Sequence, residues 1–405
     1  MREIDFPNPQ RRAIDLVRET AIEKSCRPYL VGGPVRDLLL GRTAFDVDLT
    51  LEEDSSVFAR ALAKRTGGRV KSFPQFMTYK VIAGDMPEID IATARKERYR
   101  KPGALPTVSA GRLKDDLLRR DFSINAIALD ILSQQLHDPA GGERDLRNRH
   151  VRVLHDQSFI DDPTRIYRAI RLAVRLDFAI ENETSNLMRE AIESGALRSV
   201  TKERIWRELS LAMDEEEAPR ILVELNDRGA LRDLLGVRSV DLPRLQAVQK
   251  QIAANPDLDR YVLYTSAILY GDASPIELEG SGFSQKRARN VVQIANEVPR
   301  FADALADAKS ERHRFRVLRH ASPEMLSVIA ATTGESTTVA RYNEYQNFKL
   351  PLRGNDLEVP GGPHVARALE RTREAVFTGE IAPEEARSFA RELAMRYLNE
   401  LRIEN

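Results

Sequence analysis

A single cysteine, Cys26, stands in the 405-residue chain, so no disulfide can form within it and a reducing compartment is expected. No apolar run approaches the ~20 residues that span a bilayer. The opening MREIDFPNPQ also lacks the apolar centre of an export signal. A cytoplasmic protein with no membrane partner is the expectation. Net charge is missing too, because 62 basic residues cancel 62 acidic ones. Binding of a polyanion would therefore need basic groups gathered on one face. The phosphate-binding pattern G-x-x-x-x-G-K-[ST] is absent. His137-Asp138 and His155-Asp156 are stray HD pairs, since the six histidines do not supply the ligand set of an HD phosphohydrolase. The one tryptophan, Trp206, reads as core rather than as a stacking platform.

What is present divides in two. The length suits two to four folding units. From the start to about residue 150, helical and strand patterns alternate. Arg11 to Ser25 has helical apolar spacing, Tyr29-Leu30-Val31 is a short buried run, and Val57 to Arg65 reads as a helix. Thr78 to Ala83 and Ala126 to Ile131 read as strands. From about residue 159 the strand signal nearly vanishes. Pro163–Leu176, Asn182–Ser194, Lys202–Met213 and Ala218–Asp227 read as amphipathic helices, with more at 242–254, 285–298 and 310–320. The expected fold is α+β: a small mixed α/β head on a long helical remainder.

Phe45-Asp46-Val47-Asp48-Leu49 alternates with period two, which puts Asp46 and Asp48 on one face of a strand. Such a pair suits hard divalent cations, which take oxygen ligands. Glu88-Ile89-Asp90 repeats the pattern, so Glu88 or Asp90 is a candidate third ligand. Alone, acid–apolar alternation marks any half-exposed strand. Just before it, Leu30-Val31-Gly32-Gly33-Pro34-Val35-Arg36 sets two glycines where a buried strand gives way to a helix. Backbone N–H groups there can approach a phosphate, and Arg36 adds a positive charge. A tight turn with an exposed arginine is the plain alternative.

Asp161-Asp162-Pro163-Thr164-Arg165 opens a helix whose Arg165, Arg168, Arg171 and Arg175 share about a third of the circumference. A solvated basic face is the ordinary reading. Side by side, though, Asp162 and Arg165 present an acceptor beside a donor. Cytosine and adenine carry the complementary amino donor and ring-nitrogen acceptor, whereas uracil and guanine carry the reverse.

GGPVRDLLLGR, FDVDL, KERYRKPGALPTV, RRDFSINAIALDI, DPAGGERDL and DDPTRIYRAIRLAVRL, in that order, resemble the class II tRNA nucleotidyltransferase and poly(A) polymerase family. The likeness is dense over residues 28–178, thins to about 235, and returns in GNDLEVPGGPHVARALERTREAVFTGEI. It implies a nucleotidyltransferase head over 1–150, an all-helical neck over 151–235, a body over 236–350 and a tRNA-binding tail over 351–405. It implies two Mg²⁺ ions on Asp46 and Asp48 with Asp90 nearby, and addition of C and A from CTP and ATP to the 3′ end of tRNA. Gly32, Gly33, Arg36 and Arg120 are then expected around the triphosphate, and Asp121 and Asn125 at the ribose. Asp162 and Arg165 become the base-selecting template, with Arg168 and Arg171 holding phosphate or placing the base. Residues 94–112 match a flexible loop beside the site. Members usually have Glu where this chain has Asp161, one methylene shorter. Addition of CC only, of A only, or of poly(A) is open within the family, and a catalytically idle RNA-binding protein is the alternative outside it.

Overall fold

The computed structural model describes residues 8–43, 46–84, 86–99, 101–104, 106–271, 278 and 283–403. Phe45 and Arg100, which belong to the patterns above, lie outside the described residues. One compact unit reaches to Ser239 and a second begins at Val240. The expected head and neck fall in the first unit. The tail and all but the first residues of the body fall in the second.

In the first unit the head strands are β1 (Tyr29–Val31), β2 (Val47–Leu51), β3 (Arg69–Phe73), β4 (Thr78–Ile82), β5 (Ile89–Thr93), β6 (Arg95–Arg98), β7 (Thr107–Ala110), β8 (Ala128–Asp130) and β9 (Leu136–His137), and the neck adds a short pair, β10 (His150–Val151) and β11 (Ala179–Ile180). Seven of them form one sheet in the order β3-β4-β5-β2-β1-β8-β9. Within that sheet only β2 and β5 pair in parallel, with Asp48 opposite Asp90, and the other pairs are antiparallel. The mixed sheet matches expectation. Strand β2 starts at Val47, so Asp46 precedes the strand rather than lying in it.

The head helices are α1 (Asn8–Lys24), α2 (Gly33–Leu39), α3 (Ser55–Thr66), α4 (Leu113–Leu118) and α5 (Gly142–Asn148). Helix α3 begins where the Asp54 carboxylate accepts the Ser56 N–H at 2.8 Å and ends where Gly67 turns left-handed. It packs on β3, β4 and β5, and α1 packs on it. Tyr29, Val31, Leu113, Leu117, Ala126 and Ala128 form a core between the sheet and α4. This fixes the ends of β1 and β8 from which the site residues project.

The neck helices are α6 (Ser158–Asp161), α7 (Thr164–Leu176), α8 (Asn182–Glu193), α9 (Lys202–Met213), α10 (Ala218–Asp227) and α11 (Arg232–Leu235). On α7 the expected apolar side, Ile166, Ala169, Ile170 and Ala173, is buried. The second unit holds α12 (Leu242–Ala254), α13 (Arg260–Ile268), α14 (Gln285–Ala306), α15 (Glu311–Leu318), α16 (Pro323–Thr332), α17 (Ser336–Asn347), α18 (Pro363–Phe377) and α19 (Ala386–Ile403). Helix α14 runs through Pro299, past its expected end at 298, because buried Val298 and Leu305 keep one apolar face. No helix among the described residues is long and apolar enough to cross a membrane.

Candidate active site

The turn after β1 is built around Gly32. Its φ of 76° favours glycine, and a Cβ there would lie 2.8 Å from Arg120 Nη1. The close approach brings the Arg120 guanidinium against the turn. Asp116, fully buried on α4, fixes it by accepting Arg120 Nη2 at 3.1 Å and Arg119 Nη2 at 2.8 Å. Burial would raise the Asp116 carboxyl, but the Arg120 and Arg119 charges hold it below the usual range. Arg36 lines the smaller cavity of the site and is bonded within the protein. It is 4% exposed, binds Asp37 through two bonds of 2.8 and 2.9 Å, and donates to Asn125 Oδ1 at 2.7 Å. Its guanidinium is committed to the wall of the site.

The acidic edge lies beside this turn. Asp48 projects from β2 with Asp90 next to it on β5, and Asp46 leads into β2. Burial first, then the charges of Asp90 and Asp46, push the Asp48 carboxyl up to about 6 in spite of Arg120. On the sheet, Lys80 contacts Asp90 at 3.2 Å and Glu88 at 2.7 Å. The two candidate third ligands thus share one lysine. Among the described residues no cluster of three or more His, Cys, Asp or Glu is arranged to hold a metal. Asp46 and Asp48 remain a crowded, oxygen-only pair, a donor set that fits a hard divalent cation. The Asp46 carbonyl is held by Gln10 Nε2 of α1 at 2.9 Å, a contact 36 residues away in sequence.

Asp121 and Asn125, expected at the ribose, are tied into the wall. Asn125 Nδ2 donates to Asp121 Oδ1 at 3.0 Å, and Asp121 Oδ2 accepts Arg168 Nε at 3.0 Å. Burial alone would raise the Asp121 carboxyl, yet Arg168 and Asn125 draw it down to about 2. A single network therefore runs Arg36–Asn125–Asp121–Arg168 from α2 to α7. Arg171 faces Glu208 at 3.5 Å and Glu215 at 3.8 Å.

Asp162 ends α6, and Arg165 lies in the first turn of α7. Asp162 Oδ1 accepts Thr164 Oγ1 at 2.7 Å and Arg204 Nη2 at 2.9 Å, which leaves Oδ2 as the acceptor for a ligand. Arg165, 5% exposed, donates to Ser158 Oγ at 2.6 Å and the Arg119 carbonyl at 3.2 Å. Both residues line a cleft of about 620 Å³ together with Gly32, Gly33, Asp48 and Arg120. Asp46, Asp48, Arg168 and Arg171 line an adjoining cavity of about 330 Å³. Arg204 on α9 is a site residue that sequence reasoning passed over. The spacing of Arg204, Arg207, Glu208 and Leu211, all cleft-lining, was a readable helical face. Within the expected flexible loop, Arg95–Arg98 and Thr107–Ala110 pair as the antiparallel β6–β7 ladder. Gly103 donates to the Asp161 carbonyl at 3.2 Å and accepts Arg204 Nη1 at 2.7 Å.

Residues 28–152 match the family described as Poly A polymerase head domain. The A-adding tRNA nucleotidyltransferase of Geobacter sulfurreducens is 34% identical over 383 residues, covering 87% of this chain and 43% of that protein. The chain spans about half the length of the curated relatives it matches. A CCA-adding enzyme in an apo form superposes with a TM-score of 0.82 at 25% identity, covering 96% of each chain. A tRNA nucleotidyltransferase complexed with a primer tRNA and an incoming ATP analog does so at 0.67 and 30% identity, over 82% of this chain and 98% of that one.

Proposed function

The chain belongs to the tRNA nucleotidyltransferase and poly(A) polymerase family, and from that premise we propose that it adds C and A to the 3′ end of tRNA, using CTP and ATP and releasing pyrophosphate. The observation that carries this reading is one cleft lined by Asp48, Gly32, Arg120, Asp162 and Arg165. Those residues come from three distant stretches of sequence, and each supplies a different part of nucleotide transfer.

In the reaction the 3′-oxygen of the RNA forms a bond to the α-phosphorus, the bond between the α-phosphorus and the β-bridging oxygen breaks, and pyrophosphate departs. The hydroxyl proton goes to solvent, and no covalent intermediate with the protein is needed. Asp46 and Asp48 are the residues that would hold Mg²⁺, with Asp90 joining them only if Lys80 gives it up. When bound, the metal polarises phosphoryl oxygens and makes the attacking hydroxyl more acidic. Arg120, braced by Asp116, puts fixed positive charge against the glycine turn where the triphosphate would lie. The Arg36–Asn125–Asp121–Arg168 network keeps the wall in place, so that reacting groups meet in one geometry.

For base choice, Asp162 Oδ2 would accept the amino hydrogen of cytosine or adenine while Arg165 donates to the neighbouring ring nitrogen. Uracil and guanine would set acceptor against acceptor and donor against donor at a buried site, which is costly. Arg204 holds Asp162 from behind, so α9 orients the selecting carboxylate. A narrower reading, addition of A alone, is favoured by the name of the Geobacter relative. The donor–acceptor pattern admits both bases and does not separate the two readings.

The deciding experiment uses purified protein with tRNAs ending before CCA, after C and after CC, each with labelled CTP or ATP. Extension of all three to CCA supports the full reaction. Use of only the CC-ended tRNA with ATP supports A addition, and long A tails point to a poly(A) polymerase. RNA binding with no incorporation overturns the proposal in favour of an idle binding protein.

A further inference from the structure

The second unit has a basic cavity of its own, about 550 Å³, lined by residues of α15, α17, α18 and α19. Helical spacing assembles it. Arg312, Arg316 and Arg319 follow at i, i+4 and i+7 from α15 into its C-cap, and Arg367 and Arg371 follow at i and i+4 on α18. Arg373 is the sixth arginine of the lining. Two carboxylates, Glu370 and Glu374, line it as well. Glu380 and Glu400 also pair with its arginines, at Arg371 and Arg367. Against all four glutamates the six arginines keep an excess of two positive charges. Arg316 makes no ion pair among the described residues.

The arginines are also incompletely bonded. Arg373 Nε is buried with no hydrogen-bond partner, and Arg371 Nη1, equally buried, has only an ion-pair contact with Glu374 at 3.8 Å, beyond hydrogen-bond length. Arg373 stacks 4.3 Å over the ring of Tyr345, and Arg367 stacks 4.1 Å over that of Tyr397. The Arg373 Nη groups already bond Glu370 and the Tyr345 carbonyl, whereas Arg367, with its face covered, keeps in-plane N–H groups in the geometry that suits a phosphate oxygen pair. Arg–Glu pairs serving only to lock four helices together would leave neither a charge excess nor buried donors without acceptors.

We propose that this cavity is a binding site for an oligophosphate, meaning two or more phosphate groups in close succession. Such a ligand brings clustered negative charge and many acceptors, and phosphate matches the arginine fork in two-bond geometry. The source is a free oligophosphate, such as pyrophosphate or the tail of a nucleoside triphosphate, or else successive phosphodiesters of an RNA strand. A concavity lined from four helices favours the compact free ligand.

The test is hydrogen exchange on the full chain titrated with inorganic tripolyphosphate, with chelator present to weaken metal-assisted binding elsewhere. The wild type is compared with an Arg316→Gln/Arg319→Gln double variant, whose altered side chains are exposed. Expected is protection of 311–319 and 363–377 in the wild type, with the half-saturating concentration raised roughly tenfold or more in the variant. Absence of protection in the wild type, or equal protection in both, overturns the proposal. In a competing arm, short single-stranded RNA that protects the same helices at lower concentration identifies RNA as the source. Protection by tripolyphosphate alone identifies the free ligand, and either result supports the site. The double variant should still incorporate nucleotides into saturating tRNA, so failure here leaves the nucleotidyltransferase reading standing.

Discussion

The acidic edge of the sheet and the helical wall opposite it treat their carboxylates in contrary ways. Asp46 and Asp48 crowd together with Asp90 nearby, and neither Asp46 nor Asp48 forms an ion pair among the described residues. On the wall, Asp116, Asp121 and Asp162 each accept from a guanidinium at 2.8–3.1 Å. The pKa directions diverge accordingly: Asp48 is pushed up to about 6 and Asp121 drawn down to about 2. Asp116 and Asp121, whose oxygens are taken up by internal donors, are part of the frame, whereas Asp162 keeps Oδ2 free. Asp48, left among like charges, has the environment that a bound cation would relieve.

The contrast breaks most visibly through activity. Asp48→Asn should cut nucleotide incorporation by about 10³-fold or more, read in single-turnover labelling, while circular dichroism stays unchanged. An isosteric amide that keeps most activity would dissolve the distinction between the two edges. Gly32→Ala comes next. The added Cβ meets Arg120 and the backbone loses its preferred conformation, so incorporation should fall by roughly 10- to 100-fold with a rise in KM for the nucleotide.

Stability without metal sharpens the same contrast, because the two replacements act with opposite sign. Asp48 has a folded pKa above its unfolded value of about 3.9, so its ionisation costs stability as pH rises past 4. Asp48→Asn should therefore stabilise the metal-free protein by about 2–3 kcal/mol at pH 7.5, a gain that vanishes below pH 4. Asp121 has a folded pKa below its unfolded value. Its contribution, about 2–3 kcal/mol, is present above pH 4 and is lost as pH falls towards 2. Asp121→Asn should destabilise at pH 7.5 and flatten that acid slope. Urea titrations followed by Trp206, the sole tryptophan and 2% exposed in the same unit, report both. The smallest effect is expected from Arg204→Gln, which loosens Asp162 without removing it. Discrimination of ATP against UTP should drop by roughly tenfold, with ATP turnover nearly retained.

Much of this was legible in the sequence, for identifiable reasons. Helices α9 and α10 appear residue for residue where apolar spacing put them, since a strong 3.6-residue period leaves little choice. The acidic pair, the glycine turn and the Asp162–Arg165 spacing were each local patterns, and the cleft brings Asp48, Gly32 and Gly33, Asp162 and Arg165 together. What escaped was long-range. Arg204 reaches Asp162 across 42 residues and Gln10 reaches Asp46 across 36, and no local period encodes either contact. The β6–β7 hairpin was hidden because Pro102, Gly103 and Pro106 between its strands read as open loop. The partners of Arg36 were hidden for a different reason. Its neighbour Asp37 was in plain view, but an adjacent acid and base carry no sign in sequence of whether they will pair.

The most direct measurement compares incorporation from ATP and from UTP onto a tRNA lacking its terminal A, in the wild type and in Asp162→Ala. The wild type should use ATP and reject UTP. In Asp162→Ala that preference should shrink by about 10²-fold, chiefly through loss of ATP use. An unchanged ATP-to-UTP ratio in the variant would show that the protein side chains in this cleft do not choose the base.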